Sequence, residues 1–351
     1  MKTHRRIDWP GTAEALAARV PVDRLHPAVV AWAGKRPQSE RWAVALSGGA
    51  DSLALLLLLW AHWPARRPRL TVLHFDHRLR GTESTADARF CKRVCTSLGV
   101  ALVPGRWTAG RGHRSEGAAR AGRFAFIGRE MPRRRISVLW LGHQQDDVAE
   151  TMMMRLARGS GAAGLAAPRA IHAFGPAKAA RGHIHVRPLL TLKKAEIVRA
   201  LRACGAGWRE DSSNAKGIHF RNRLRRDVIP LWIRASERDA LAGAALSREL
   251  LEEDDCALEA WVDALRPVNA DGSLSAARLA GKPRAVVRRA LHRWLLLQPQ
   301  AGELSRKGFD ALLRSVERGA PARHSLGSEG FATLRARRMR FEKMRGSPRA
   351  D

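Results

Sequence analysis

From Trp42 to Ala203, short apolar runs alternate with longer amphipathic stretches. Trp42-Ala-Val-Ala-Leu46 reads as a buried strand, Ser47-Gly-Gly-Ala-Asp-Ser52 as a glycine turn, and the unbroken run Leu53–Leu59 as a buried helix. Leu70–Phe75 reads as a second strand, Glu83–Leu98 as an amphipathic helix stopped by Gly99, and Val100–Val103 as a short strand. Glu116–Glu130 is a further helix, Ile136–Leu141 a further strand, and a helix starts near Asp146. Residues 166–183 read as a surface excursion, Ile184–Leu190 as a strand and Lys193–Ala203 as a helix. Strands alternating with helices predict an α/β fold with a doubly wound parallel sheet. Ligands of such sheets sit beyond the carboxyl ends of the strands. The loops at Ser47-Gly48-Gly49, Asp76-His77 and Gly142-His143 all fall there.

The pattern divides the chain into three parts. Residues 1–40 form an N-terminal extension with short helices at Ala13–Val20 and Ala28–Ala33. Residues 41–235 form the α/β domain. Residues 236–351 form a smaller helical domain with a strand-rich end, where Arg335, Arg337, Arg338, Arg340, Lys343 and Arg345 crowd together.

The glycine turn carries the first candidate chemistry. Paired glycines let the backbone turn tightly and approach a ligand. The helix that follows starts with N–H groups that have no intrahelical partner, and Asp51 or Ser52 is placed to cap it. A positive helix end with free N–H groups attracts phosphate. No Gly-Lys-Ser/Thr closes the turn, so it is not the common phosphate loop.

Composition adds a partner class. The 351 residues carry 63 Lys and Arg against 33 Asp and Glu, a net charge of +30, which predicts a polyanionic partner, nucleic acid or an acidic membrane surface. No apolar run is long enough to cross a bilayer, and nothing resembling a secretory signal follows Met1. The four cysteines form no Cys-x-x-Cys pair, which excludes a zinc knuckle or dithiol motif and suits a reducing cytoplasm.

A second motif is Gly142-His-Gln-Gln-Asp-Asp-Val-Ala-Glu-Thr151. Asp147 and Glu150, three apart, share a helix face and suit Mg²⁺ or an ammonium group; a solvated acidic turn is the plain alternative. Arg120 and Arg123 likewise share a face and suit phosphate, or simple surface ion pairs. Arg221, Asn222, Arg223, Arg225 and Arg226 beside Phe220 suit an RNA strand.

These residues together resemble a known family. Ser47-Gly-Gly-Ala-Asp-Ser52 is similar to the pyrophosphate loop of the N-type ATP pyrophosphatases, the PP-loop enzymes with an adenine nucleotide alpha hydrolase-like fold. Within that group the chain resembles the tRNA(Ile)-lysidine synthetases through Phe75–Arg80, Glu116 with Ala119, Arg120 and Arg123, and Gly142–Thr151. Arg158–Gly161 with Gly164-Leu165, Arg187–Leu190, Glu210–Asn214 and Arg221–Arg225 extend the match over about residues 40–232.

The resemblance implies that ATP, with Mg²⁺, adenylates the wobble cytidine of a CAU-anticodon tRNA(Ile) and that free L-lysine then displaces AMP to give lysidine. It implies ATP binding at Ser47, Gly48, Gly49, Ala50, Asp51, Ser52, His77 and His143, and Mg²⁺ at Asp51. It implies lysine binding at Asp147 and Glu150, catalytic roles for Asp51, Arg120, Asp147 and Glu150, and tRNA contacts at Arg120, Arg123, Arg221, Asn222 and Arg225. Phe124 and Phe220 stand where the family often has tyrosine, and Arg78 where glycine is common. The length suits the compact form of the family, without the further C-terminal domain that some members carry. A homodimer is left open, as are an adenylating tRNA thiolase and a non-catalytic RNA-binding module on the same fold.

Overall fold

The computed structural model describes residues 7–76, 82–107, 116–174, 182–210, 220–298, 304–328 and 330–344. The chain divides into two compact units, Met1–Leu250 and Leu251–Asp351. The division falls within one long helix, Ala240–Leu265.

The first unit opens with α1 (Trp9–Arg19) and α2 (Pro27–Gly34). There follow β1 (Trp42–Ala45), α3 (Ala50–His62), β2 (Leu70–Asp76), α4 (Thr82–Leu98), β3 (Ala101–Arg106), α5 (Glu116–Arg133) and β4 (Val138–Trp140). Then come α6 (Gln145–Leu156), α7 (Ala162–Leu165), β5 (Ile171–Phe174), β6 (His183–Val186), α8 (Lys194–Ala203), α9 (Phe220–Arg223), α10 (Ile229–Ala235) and the start of α11 (Ala240–Leu265). The strands form one sheet in the order β3-β2-β1-β4-β6-β5. All pairs are parallel except the edge pair β5–β6. The chain steps outward from β1 to β2 and β3, then returns to place β4 on the other side of β1. That reversal opens a crevice at the carboxyl ends of β1 and β4.

Both faces of the sheet are covered, as a parallel sheet requires. One face packs Val44, Val72, Val138 and Val186 into the main core, and the other packs Ala43, Leu73 and Leu139 against Phe126, Ile127 and Met131 of α5. Helix α3 is buried from Leu53 to Trp60, which fixes its N-terminus at the crevice. The N-terminal segment is part of this body, because Trp9, Ala13, Leu16, Val29 and Ala33 lie in the main core. The expected surface excursion contains the antiparallel edge strand β5, whose Ile171 packs against that core.

The second unit holds β7 (Leu274–Ser275), α12 (Ala276–Leu279), α13 (Arg284–Leu296), α14 (Arg306–Arg318), β8 (Ala322–Ser325), β9 (Gly330–Arg335) and β10 (Arg338–Lys343). Its antiparallel sheet runs β7-β10-β9-β8. Ala332, Leu334 and Met339 bury one face against Leu291, Trp294 and Leu312 of the helices. Arg335, Arg337 and Arg338 are exposed at the β9–β10 turn, whereas Arg340 pairs with Asp271 at 2.9 Å. Arg345 lies outside the described residues.

Candidate active site

The glycine turn joins β1 to α3. Gly48 has φ of +93°, a left-handed conformation that strains other residues. Helix α3 begins at Ala50 with Gly49 at its cap position, and no side chain caps it. Asp51 and Ser52 therefore lie inside the first turn and do not serve as its cap, contrary to the sequence reading. The helix end is left to an anion. Ser52 instead shapes the turn. Its Oγ accepts the Ser47 N–H at 3.2 Å, donates to the Gly49 carbonyl at 3.0 Å, and lies 3.0 Å from Ser47 Oγ.

The loop after β4 closes the other side. A Cβ on Gly142 would stand 2.9 Å from the Asp51 carbonyl oxygen and 3.1 Å from the Ser52 nitrogen. Only glycine allows this approach. Gln144 caps α6, accepting the Asp146 N–H at 2.5 Å, while Asp147 Oδ2 accepts the Gln144 N–H at 3.1 Å. Asp146 is thus not the cap of its own helix; its carboxylate accepts the Lys194 backbone N–H at 2.9 Å, at the start of α8.

Charged groups converge on this crevice. Lys194 Nζ donates to Asp51 Oδ2 at 2.6 Å, while Asp51 Oδ1 is buried with no partner. Burial raises the Asp51 pKa above the ordinary carboxylate value; Lys194 opposes the rise, Asp147 adds to it and Arg225 counters it. Asp147 and Glu150 share one face of α6, and Glu150 is fully buried. Arg221 spans the two, with NH2 2.6 Å from Asp147 Oδ1 and Nε 2.5 Å from Glu150 Oε2. Arg225, one turn further on, donates through Nε to Glu150 Oε1 at 2.5 Å and through NH2 to Oε2 at 3.0 Å. Two carboxylates and two guanidiniums balance. A single turn of π-helix, Leu224–Val228, follows α9, a feature often found at functional sites.

His143 sits among cations. Arg187 Nε donates to its Nδ1 at 3.1 Å, which assigns the ring proton to Nε2. Burial, then Arg187, Arg221, Arg123 and Arg120, hold its pKa well below the ordinary value, so the ring is neutral at neutral pH. Burial and its cationic neighbours Arg120 and Arg221 also lower Arg123. The guanidinium carbons of Arg120 and Arg123 lie 5.2 and 5.6 Å from the Phe124 ring centre.

The structure thus gathers Ser47–Ser52, Arg120, Arg123, His143, Asp147, Glu150, Arg221 and Arg225 at the ends of β1 and β4. Asn222 follows Arg221 on α9 and is half-buried. His77 lies outside the described residues. Arg221 and Arg225, expected as RNA contacts, are placed on the carboxylates. Sequence reading missed Lys194, whose signal was a cation in the first turn of a helix, where the helix dipole disfavours one. It also assigned no role to Arg187, or to Arg209, whose N–H meets the Gly48 carbonyl at 2.9 Å and whose Nε meets Asp87 at 2.6 Å. Among the described residues no group of three or more His, Cys, Asp or Glu is placed to hold a metal. The unpartnered Asp51 oxygen fits Mg²⁺, which commonly takes one or two carboxylates and completes its shell with phosphate and water. Among the described residues no helix is long and apolar enough to cross a membrane.

A family model described as "PP-loop domain" (ATP_bind_3) matches residues 25–232, more than half of the chain. The chain belongs to the PP-loop family. The matched span contains the glycine turn, which we call the PP-loop, and the crevice at the ends of β1 and β4. Among curated relatives, the tRNA(Ile)-lysidine synthase of Symbiobacterium thermophilum is 33% identical over 316 residues, covering 84% of this chain and 63% of the relative. Proteins of the same name from Solibacter usitatus (40% identical; 54% of this chain, 40% of the relative) and Geobacter sulfurreducens (34% identical; 77% and 57%) also match. This chain covers less than two thirds of the length of each.

Proposed function

We propose that this chain adenylates the wobble cytidine of a CAU-anticodon tRNA(Ile) with ATP and then joins free L-lysine to C2 of that base, giving lysidine in the cytoplasm. The observation that carries the reading is one crevice holding both the PP-loop and a carboxylate pair. Asp51 feels the charge of Asp147 and of Arg225, so the phosphate end and the carboxylate end belong to one electrostatic unit.

In the first step the cytidine O2 attacks the α-phosphorus and pyrophosphate leaves. The N-terminus of α3 and the turn Ser47–Ser52 would hold the departing phosphates, where fixed N–H dipoles oppose the growing charge. Lys194, held on Asp51, would stand near the same phosphates, and His143, neutral and proton-bearing at Nε2, would offer a donor without a charge. Mg²⁺ held at Asp51 would neutralise phosphate charge.

In the second step the lysine ε-amine attacks C2 and AMP leaves. Asp147 and Glu150 would receive the ammonium group. Glu150 Oε2 already accepts from both arginines, so the lone-pair directions left for an ammonium are on Glu150 Oε1 and on the two Asp147 oxygens, each of which accepts one N–H group. The two arginines offset the rise in ammonium pKa that the two carboxylates cause, and a carboxylate would take the proton that the amine gives up before it attacks. Only the deprotonated amine is a nucleophile. Arg120, Arg123 and Asn222 would meet the RNA, with Arg221 and Arg225 as the inner end of the same basic strip and Arg335, Arg337 and Arg338 gripping the backbone.

A thiolase reading is disfavoured by the thiols. Cys91 and Cys95 are buried, and burial pushes both up, Cys95 to about 12, so neither supplies a thiolate. Burial also pushes Cys204 up, which leaves Cys256 as the one exposed thiol, with no second thiol to pair with it in a dithiol motif. The reading is tested by following pyrophosphate release with CAU-anticodon tRNA(Ile) before lysine is added. Release that requires the wobble cytidine is expected; release equal with a wobble uridine would contradict it.

A further inference from the structure

The edge hairpin β5–β6 carries four rings on one face. The antiparallel register pairs His172 with His185 and Phe174 with His183, so all four side chains share that face. The opposite face presents Ile171, Ile184 and Val186 to the core. Phe174 is the hub. Its ring centre is 5.4 Å from that of His183 and nearly parallel to it (16°), 4.3 Å from His185 and 4.4 Å from His172. Phe124 of α5 continues the row, stacked on His185 at 6.1 Å and 20°. Three features mark this as a surface for a ligand. Phe174 is 38% exposed, a costly place for a large ring. The Nε2 of His185 is buried and meets no hydrogen-bond partner. The row runs into the catalytic crevice, since Phe124 lies under Arg120 and Arg123, and His185 feels the charge of Arg187 and His143.

We propose that this hairpin is a stacking platform for an unpaired RNA base next to the reacting cytidine, with Phe174 and His183 meeting its face. This rests on the RNA reading above and adds a site to it. Flat rings flanked by arginines are the chemistry that holds splayed single-stranded bases, and the net charge of +30 favours a polyanion over an apolar partner. Burial and nearby arginines lower His172 and His185, and burial lowers His183, so the rings are neutral at neutral pH and stack without repelling the guanidiniums.

The test is binding of a CAU-anticodon stem-loop to the full chain and to Phe174→Ala, Phe174→Leu and Phe174→Trp, at several salt concentrations. Loss of one stacked base weakens binding about 5- to 150-fold. That loss is expected for Ala and Leu, with near-normal affinity for Trp. The salt slope should stay unchanged, because no phosphate contact is removed. The proposal is overturned if Ala binds within twofold of wild type while wild type binds normally. It is equally overturned if a fully paired RNA loses as much, or if ATP affinity falls in step, which would make the platform an adenine seat. Absence of stem-loop binding by the wild type would instead sink the RNA reading itself, and the platform with it.

Discussion

Lys194 Nζ lies 2.6 Å from Asp51 Oδ2, while Oδ1 of the same carboxylate is buried without a partner. One side of Asp51 is neutralised by the protein and the other accepts no hydrogen bond. Because the folded pKa is raised, the folded state holds the proton more tightly than the unfolded chain. The contribution to stability is fully present below the ordinary value of 3.8 and is lost as pH rises through the raised value. Asp51→Asn should therefore melt at the same or a higher temperature at pH 7, with the advantage disappearing on acidification. Its affinity for Mg-ATP should fall about 10- to 100-fold, the range for losing a contact to a charged group. A lower melting temperature at pH 7 would show that Asp51 serves stability and not ligand binding.

Gly142 is the point where β4 meets the PP-loop. In Gly142→Ala the added carbon would stand 2.9 Å from the Asp51 carbonyl oxygen, so loop and strand end must separate. The expected result is a chain destabilised by about 1–3 kcal/mol, typical of overpacking, with ATP affinity reduced. Wild-type ATP affinity in this variant would mean that the two loops do not form one nucleotide site.

Much of this arrangement was legible before the structure. The apolar strands and paired glycines fix the PP-loop, and the three-residue spacing puts Asp147 and Glu150 on one face. The pairing of those carboxylates with Arg221 and Arg225 was not legible, because residue type does not reveal a partner some seventy positions away. Helices α1 and α2 looked peripheral because prolines interrupt them, yet Trp9 and Leu16 are buried by contacts with distant segments. Strand β5 was hidden for a similar reason. Four residues with two histidines carry too short an alternation to announce an edge strand.

The carboxylate pair makes a separable prediction. Glu150→Gln leaves Arg221 and Arg225 with a weaker acceptor, and stability should drop by about 1–3 kcal/mol. The KM for lysine should rise at least about tenfold, with ATP binding nearly unchanged. Asp147→Asn should act in the same direction. An unchanged lysine KM in both variants would remove these residues from the lysine site.

Arg120 and Arg123 should act through charge. Each neutralised phosphate contributes about 0.7 to the salt slope on single-stranded RNA. Replacing both with Ala should lower the slope of log affinity for tRNA by about 1.4 if both touch phosphates. ATP affinity should change less than tRNA affinity. An unaltered slope with lost turnover would place Arg120 at the reacting group and not on the RNA backbone.

The central claim is that the PP-loop and the Asp147–Glu150 pair serve one reaction. Its most direct test is incubation of the chain with ATP, labelled lysine and CAU-anticodon tRNA(Ile). Label should enter the tRNA only when ATP is present, and AMP should be released in equal amount. Release of pyrophosphate with no lysine transferred, under conditions where the tRNA is bound, would contradict the claim.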